Sequence, residues 1–207
     1  MSDAGVTGVI LAGGKSSRFG SDKASARLLG KPLLQWVVSA LEPVCEALVV
    51  VRAAGQVLPR IDCARPPVEA EDRYEGKGPL AGLVSGLAMV GTEFAFAVSC
   101  DAPLVRPELV QLLLERAEGS DIACPLVEEH LQPLVALYRV ATCLPVFREC
   151  VENGRLKITA AYGGLRLVVV SEPDVRAVDP DLRSFRNANR PETLAEIVGL
   201  LQAPESL

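Results

Sequence analysis

The 207-residue sequence has little of several features that would point to particular protein classes. It contains one histidine, and its six cysteines are irregularly spaced without a CxxC pair, so neither a zinc site nor a disulfide framework is indicated. We expect small buried thiols instead. No run of like charges occurs, and 21 basic side chains against 26 acidic ones do not suggest a surface for nucleic acid or anionic membranes.

Long apolar runs are also missing. The N-terminal stretch MSDAGVTGVILAGG has no basic segment before its short apolar run, which argues against a signal peptide and a membrane span and favours a cytoplasmic protein. Hydrophobic side chains, by contrast, are abundant and make up 49% of the residues. A chain of this length and composition can bury one core, so we expect a single domain over residues 1–207.

Short apolar runs alternate with segments of helical periodicity. Near-continuous hydrophobicity predicts strands buried on both faces, and apolar residues at helical spacing predict helices between them. This alternation predicts an α/β fold with a doubly wound, mostly parallel sheet and helices on both faces. The predicted strands are 6–11, 47–51, 94–99, 121–127, 133–139 and 165–171, and the predicted helices are 32–43, 79–90, 106–119, 139–154 and 190–202.

The first predicted strand ends in a small, basic loop, within VTGVILAGGKSSRFGSDK at residues 6–23. In open α/β sheets ligands bind beyond the carboxyl ends of the strands, and the loop after the first strand commonly holds phosphate. Gly13 and Gly14 would let backbone N–H groups approach an anion, and two serines add hydroxyl donors. Arg18 and Lys23 supply positive charge.

The spacing of this loop fits neither the Walker pattern nor GxGxxG, so neither a P-loop ATPase nor a dinucleotide-binding protein follows. A glycine pair after a strand can also be only a tight turn. The lysine and arginine within the same loop favour a phosphate site over that alternative.

The segment LAGGKSSRFGSDKA at residues 11–24 resembles the LAGGxSxRxGxDKA signature of the molybdenum cofactor guanylyltransferases, the MobA-like family of nucleotidyltransferases. The resemblance implies a Rossmann-like nucleotidyltransferase fold whose N-terminal half binds the nucleotide and whose C-terminal half binds the acceptor. It covers nearly the whole chain, because further blocks match in the family order at residues 30–41, 78–87, 99–113, 130–139 and 185–197.

The resemblance also implies a reaction. GTP and molybdopterin, or its molybdenum form, would give the guanine dinucleotide cofactor and pyrophosphate. The terminal phosphate of the pterin would attack the α-phosphorus in line, so alignment and charge neutralisation would replace a protein nucleophile. The implied catalytic residues are Arg18, Lys23 and Asp101, and the implied nucleotide-binding residues are Leu11, Ala12, Gly13, Gly14, Lys23, Asp72 and Asp101.

Asp101 follows the buried strand in FAFAVSCDAPLV. An ionised carboxylate is costly to bury without a cationic partner, and Mg²⁺ prefers oxygen ligands of this kind. The resemblance assigns this aspartate to the metal. The alternative is that Asp101 or Ser99 caps the following helix. Asp121, at the start of the next strand, has no such support, and we expect a cap or a surface carboxylate there.

An acidic stretch precedes the GPLAG block. Glu69, Glu71, Asp72 and Glu75 could each complement the N–H donors of a guanine edge, and the family pattern favours Asp72. A solvated acidic loop is the alternative. One departure from the family lies nearby, because Arg52 stands in VVVRAAG where relatives often have asparagine.

The RNANRPE segment resembles the family block for the acceptor. Asn187 and Asn189 would donate hydrogen bonds to the pterin or its phosphate, although asparagine before a helix is often only a cap. Arg190 replaces a common threonine, which is a small departure. His130 is at least as well explained as a surface or structural side chain.

Three rivals remain open at this stage. A cytidylyltransferase for the cytosine dinucleotide cofactor, or a small sugar-phosphate nucleotidyltransferase, would share the chemistry, although AGG and SDKA in the first loop favour guanylyl transfer. A non-catalytic nucleotide-binding partner protein is expected to lack Lys23 or Asp101, and both are present. Molybdoenzymes or other cofactor-biosynthesis proteins are candidate partners that would receive the product.

Overall fold

A computed structural model describes residues 5–13, 23–74, 76–189 and 191–202. Its main feature is a mixed sheet. The strands of this sheet are β1 (Val6–Leu11), β4 (Ala47–Arg52), β5 (Val68–Glu71), β6 (Phe94–Ser99), β7 (Ile122–Val127), β8 (His130–Leu131), β9 (Val135–Arg139) and β10 (Leu167–Val170), and the short strands β2 (Arg27–Leu28) and β3 (Lys31–Pro32) form a separate hairpin. In the main sheet the strands run in the order β10-β7-β9-β6-β1-β4-β5, with β8 paired to β7.

The centre of the sheet is parallel. β1 pairs in parallel with both β4 and β6, β4 with β5, and β7 with β10. β9 runs antiparallel between β6 and β7. The predicted mostly parallel sheet is therefore confirmed, and the carboxyl ends of β1, β4, β5 and β6 meet at one edge.

Helices cover both faces of this sheet, as the hydrophobic strand pattern predicts. All six residues of β1 are buried, because alternate side chains enter cores on opposite faces. On one face the core includes side chains from α1, α3 and α5, and on the other from α2 and α4. The helices of the described chain are α1 (Leu33–Leu41), α2 (Pro79–Leu87), α3 (Pro107–Arg116), α4 (Val140–Glu152), α5 (Glu172–Val178) and α6 (Pro191–Gln202).

A third, smaller apolar cluster joins the β2–β3 hairpin to the C-terminal helix. Leu28 and Leu33 pack there with Ala188 and Ile197. This packing brings the chain before α6 close to the segment that follows the first loop. Within the described parts of the chain, no helix combines the length and apolarity needed to cross a bilayer.

Five of the six cysteines are buried, and Cys63 is partly exposed. Burial raises the pKa of Cys45 and Cys143 to about 12 and that of Cys124 to about 11. These thiols stay protonated at neutral pH, which suits packing and not nucleophilic chemistry.

Candidate active site

The site lies at the carboxyl ends of the central parallel strands. At the end of β1, the backbone N–H groups of Ala12 and Gly13 both donate to the carbonyl of Val51, at 2.8 and 3.0 Å. A Cβ on Gly13 would come within 2.7 Å of the backbone nitrogen of Ala53, so glycine allows the ends of β1 and β4 to touch. The N–H of Gly13 is thus engaged with the sheet, whereas we expected it to face an anion. Gly14, the two loop serines and Arg18 lie outside the described residues.

Three residues predicted from separate segments meet beside this loop. The Nζ atom of Lys23 donates to Oδ2 of Asp101 at 2.8 Å and to Oδ1 of Asn189 at 2.7 Å. Lys23 opens a short 3₁₀ helix, Asp101 follows β6, and Asn189 precedes α6. The lysine therefore connects the nucleotide half of the chain to the predicted acceptor half.

Asp101 is held deep in this junction. Its side chain is only 7% exposed, against 29% for Lys23, and its backbone carbonyl accepts a 2.7 Å hydrogen bond from the N–H of Ala188. The other carboxylate oxygen, Oδ1, accepts no hydrogen bond from any residue that the structure describes. Asp101 does not cap α3, because that helix begins at Pro107 and Arg106 occupies its N-cap position. The capping alternative is therefore wrong for Asp101.

A cavity of about 370 Å³ opens next to the glycine loop. Its walls come from the ends of β1, β4 and β6 and from the connection between β5 and α2. Of the predicted nucleotide-binding residues, it contacts Leu11, Gly13 and Asp72, and it also contacts Val51, Ala53, Gly76, Gly78, Pro79, Gly82, Ser99 and Leu134. Such a concave, mostly apolar space with a few polar groups suits a planar base and its sugar.

Asp72 lies at the cavity wall, not in a solvated loop. Its Oδ1 atom accepts hydrogen bonds from the backbone N–H of Tyr74 at 3.0 Å and from the hydroxyl of Ser85 at 3.4 Å. Its own N–H donates to the carbonyl of Arg52 at 2.9 Å. These contacts fix the carboxylate at the start of the connection to α2.

The neighbouring acidic residues have a different environment. Glu69 and Glu71 belong to the edge strand β5, and both pair with Arg52, at 3.4 and 2.9 Å. Arg52, which departs from the family pattern, therefore joins β4 to β5 through two ion pairs. Glu75 lies outside the described residues.

The predicted acceptor asparagines border a second concave region, a groove of about 620 Å³ along α6. Asn189 contributes both to this groove and to the junction with Lys23, and its N–H donates to the carbonyl of Asn187 at 2.9 Å. The groove is lined by Phe185, Arg186, Asn187, Asn189, Thr193, Glu196, Ile197, Gly199 and Leu200. Arg190 lies outside the described residues.

Two other residues considered from the sequence, His130 and Asp121, line neither the cavity nor the groove. His130 is exposed in β8, and its Nδ1 atom is 2.6 Å from the carbonyl oxygen of Glu128. Asp121 is buried, contrary to the expectation of a cap or surface carboxylate. It accepts hydrogen bonds from the guanidinium of Arg166, at 3.1 Å each from Nε and Nη2, and from its backbone N–H at 2.9 Å. These bonds to Arg166 lower the pKa of Asp121 to about 2.

Several residues of the candidate site were not predicted from the sequence. Ser85 orients Asp72, and Gly76, Gly78 and Gly82 shape the cavity. The repeated glycines of GPLAGLVSGL were a usable signal, because positions 78, 82 and 86 are spaced to lie along one face at the start of a helix. Ser99 and Leu134 lie in the matched blocks 99–113 and 130–139, but nothing in those blocks indicated that the fold would bring the two residues to the cavity.

A mostly parallel α/β sheet with a cavity and a lysine–aspartate pair beyond its strand ends is typical of proteins that bind nucleotides at that edge. A protein-family model identifies the family within this class. The model of the MobA-like NTP transferase domain matches residues 8–177, and the chain belongs to this family.

Curated relatives agree over nearly the full length. The chain is 35% identical over 200 residues to the molybdenum cofactor guanylyltransferase of Desulfosudis oleivorans, covering 96% of both chains. It is 36% identical to the probable molybdenum cofactor guanylyltransferase of Natronomonas pharaonis, covering 91% of this chain and 94% of the relative.

A solved structure supports the fold. The crystal structure of molybdopterin-guanine dinucleotide biosynthesis protein A from Archaeoglobus fulgidus superposes with a TM-score of 0.78 at 24% identity, covering 94% of this chain and 98% of that one. At this identity the likeness concerns the architecture alone.

Proposed function

We propose that the protein transfers GMP from GTP to molybdopterin, or to its molybdenum form, releasing pyrophosphate and forming the guanine dinucleotide cofactor. The observation that carries the proposal is the position of Lys23, whose ammonium joins Asp101, two residues after the cavity-lining Ser99, to Asn189, which lines the groove. Two substrates held in these spaces would meet at this cation. The full-length relatives named as guanylyltransferases favour GTP over CTP.

In this proposal the N-terminal half of a single domain binds the nucleotide. The base and ribose occupy the 370 Å³ cavity, with Leu11 and Gly13 on one side and Asp72 on the other, and Ala12 joins the first two while its N–H donates to the carbonyl of Val51. The carboxylate of Asp72 accepts hydrogen bonds from the N–H groups of guanine or from the ribose hydroxyls. Gly14 and Arg18 contact the phosphates in the same scheme, on the sequence argument alone.

The acceptor occupies the C-terminal half. The amides of Asn187 and Asn189 face the groove along α6 and can donate to the pterin or to its phosphate. Asn189 accepts a hydrogen bond from Lys23 through its oxygen, so its amide nitrogen stays available for donation. The acceptor phosphate would then lie within reach of the ammonium group.

The residues present fit a bound Mg²⁺. Asp101 offers a buried carboxylate with one oxygen that accepts no hydrogen bond from the described chain, and oxygen ligands are those that Mg²⁺ prefers. A single carboxylate is enough where substrate phosphates and water complete the coordination. When bound, the ion would supply Lewis-acid stabilisation of phosphate charge.

The side chains of the protein contribute alignment and charge to the transfer. The acceptor phosphate is ionised at neutral pH and needs no general base, which agrees with the exposed His130 lining neither the cavity nor the groove. Lys23, together with Arg18, stabilises the charge that develops on the leaving pyrophosphate. Positioning the two phosphates in line supplies the remaining acceleration. We further propose that the product passes to molybdoenzymes or other cofactor-biosynthesis proteins in the cytoplasm.

The test is pyrophosphate release by the purified protein with Mg²⁺ and molybdopterin, comparing GTP, CTP and ATP. We expect release with GTP that depends on molybdopterin. Release with CTP in preference to GTP would overturn the base assignment, and no release with any of the three nucleotides would overturn the transferase proposal.

A further inference from the structure

The turn that follows β4 contains a glutamine whose side chain contacts the backbone of two strand ends. The Oε1 atom of Gln56 accepts a hydrogen bond from the N–H of Ala53 at 2.8 Å, and its Nε2 atom donates to the carbonyl of Ala12 at 3.1 Å. One amide group therefore holds the end of β4 against the end of β1. Gly55, with a φ of +70°, allows the chain to turn back sharply enough for this contact.

Arg52 also holds this turn in place through hydrogen bonds to its backbone. Its Nη1 atom donates to the carbonyls of Ala53 at 3.3 Å and Gln56 at 3.5 Å, and the N–H of Gln56 donates to the carbonyl of Ala53 at 3.1 Å. Both polar groups of the Ala53 backbone are thus fixed by residues of this turn. The guanidinium is in turn anchored by Glu69 and Glu71 on β5.

This turn forms part of the cavity wall. Ala53 and Gly13 both line the cavity, and they are packed so closely that a Cβ on Gly13 would lie 2.7 Å from the nitrogen of Ala53. A shift of Ala53 would therefore move Gly13 as well. Gln56 itself does not line the cavity, so its effect on a bound nucleotide acts through the backbone groups that it holds.

We infer that Gln56 is a positioning residue that sets the affinity of the nucleotide site by fixing the Ala12–Gly13 and Ala53 backbones. The inference rests on the proposed function and assigns a role within the same site. Removing the amide takes away its hydrogen bonds to this wall, and the nucleotide must then order the wall more fully when it binds. The cost falls on binding, whereas the groups that act on the phosphates remain in place.

The chain provides a matched control on the same connection. Gln35, on α1, also binds the backbone with its amide, accepting from the N–H of Asp62 at 2.7 Å and donating to its carbonyl at 2.8 Å, and it donates to the hydroxyl of Ser39 at 3.0 Å. Gln35 and Gln56 are both half-buried. Asp62 does not line the cavity, so loss of the Gln35 contacts would loosen the connection without moving the wall.

The experiment measures dissociation constants for Mg²⁺-GTP by titration calorimetry, with kcat and KM for GTP from pyrophosphate release, in the wild type, Gln56→Ala, Gln56→Glu and Gln35→Ala. Gln56→Glu keeps the acceptor for Ala53 and loses the donor to Ala12, so it removes the donor of the amide and leaves its acceptor in place. We expect both Gln56 variants to raise the dissociation constant and KM about fivefold to tenfold, with kcat within twofold and Gln35→Ala unchanged.

GTP binding within twofold of wild type in Gln56→Ala would overturn the inference, and so would an equal loss in Gln35→Ala. The two proposals fail differently. A wild type that binds GTP but releases no pyrophosphate overturns the proposed function, and the dissociation constants still decide the role of Gln56. A wild type that binds none of GTP, CTP and ATP overturns both.

Discussion

Asp101 and Asp121 are both buried aspartates next to strands of the same sheet, but they lie at opposite edges and have different partners. At the carboxyl edge, Asp101 contacts the ammonium of Lys23 through one oxygen only. At the amino edge, both oxygens of Asp121 accept hydrogen bonds from Arg166. A buried carboxylate whose oxygens are all satisfied serves the fold, whereas Asp101, with one oxygen that accepts no hydrogen bond from the described residues, can serve a ligand.

The cations that pair with the two aspartates also differ. Lys23 is a flexible, compact charge that can move to a phosphate, whereas the guanidinium of Arg166 forms a fork with fixed geometry. Lys23 also contacts Asn189, which lines the groove, and Asp101 lies two residues after the cavity-lining Ser99. The Asp121 pair contacts neither of these regions.

The largest effect is expected from Asp101→Asn. The amide keeps the volume of the side chain but loses the charge that would hold Mg²⁺, so turnover should fall at least about 100-fold. Steady-state pyrophosphate release measures this. Asp121→Asn is the matched control and should stay within twofold of wild type. Equal losses in the two variants would show that the edges do not differ as we describe.

Lys23→Met should have the next largest effect on turnover. It removes the ammonium that joins Asp101 to Asn189 while keeping most of the aliphatic stem, and we expect kcat to fall about 100-fold or slightly less. Lys31→Met is the control, because Lys31 is an exposed lysine whose Nζ lies over the ring of Trp36 at 5.5 Å. A kcat for Lys23→Met within threefold of wild type would contradict the role of this cation.

For the free energy of unfolding, Asp121→Asn should have the larger effect and Asp101→Asn the smaller. Asp121→Asn removes charge-assisted hydrogen bonds to Arg166, so we expect the free energy of unfolding to fall by about 2 kcal/mol. Asp101→Asn should cost less, because Lys23 can turn to solvent. Urea denaturation of both variants measures the difference, and a larger loss for Asp101→Asn would contradict the assignment of Asp121 to the fold.

The smallest effect concerns pH. Hydrogen bonds from Arg166 lower the pKa of Asp121 in the folded protein to about 2, below its value in the unfolded chain. The resulting stabilisation is complete above the unfolded pKa and is lost as the pH falls through about 2. The difference in unfolding free energy between wild type and Asp121→Asn should therefore be constant at neutral pH and shrink below about pH 4. A difference that stays constant down to pH 2 would contradict this account.

The sequence predicted the central strands well because their signal is local. β1 and β6 have the expected bounds, since continuous apolar runs mark strands buried on both faces. β5 was missed because its sequence, VEAE, is short and polar at the edge of the sheet. The seven-residue helix α5 was also missed, although Ser171 caps it by accepting from the N–H of Asp174.

For the site, the sequence indicated residues but not their arrangement. Lys23, Asp101 and Asn189 were each chosen from separate motifs, yet their contacts join positions 78 and 166 residues apart. Such contacts depend on strand order and on the packing of α6, which local patterns do not specify. The same limit explains why the engaged N–H of Gly13 and the amide of Gln56 were not foreseen.

The most direct test of the central claim follows the phosphates of GTP. The protein is incubated with Mg²⁺, molybdopterin and GTP labelled at either the α- or the γ-phosphate, and the products are separated by chromatography. The account predicts that the α-label enters the dinucleotide product and the γ-label leaves in pyrophosphate. Transfer of the γ-label to the acceptor, or its release as orthophosphate, would contradict the account.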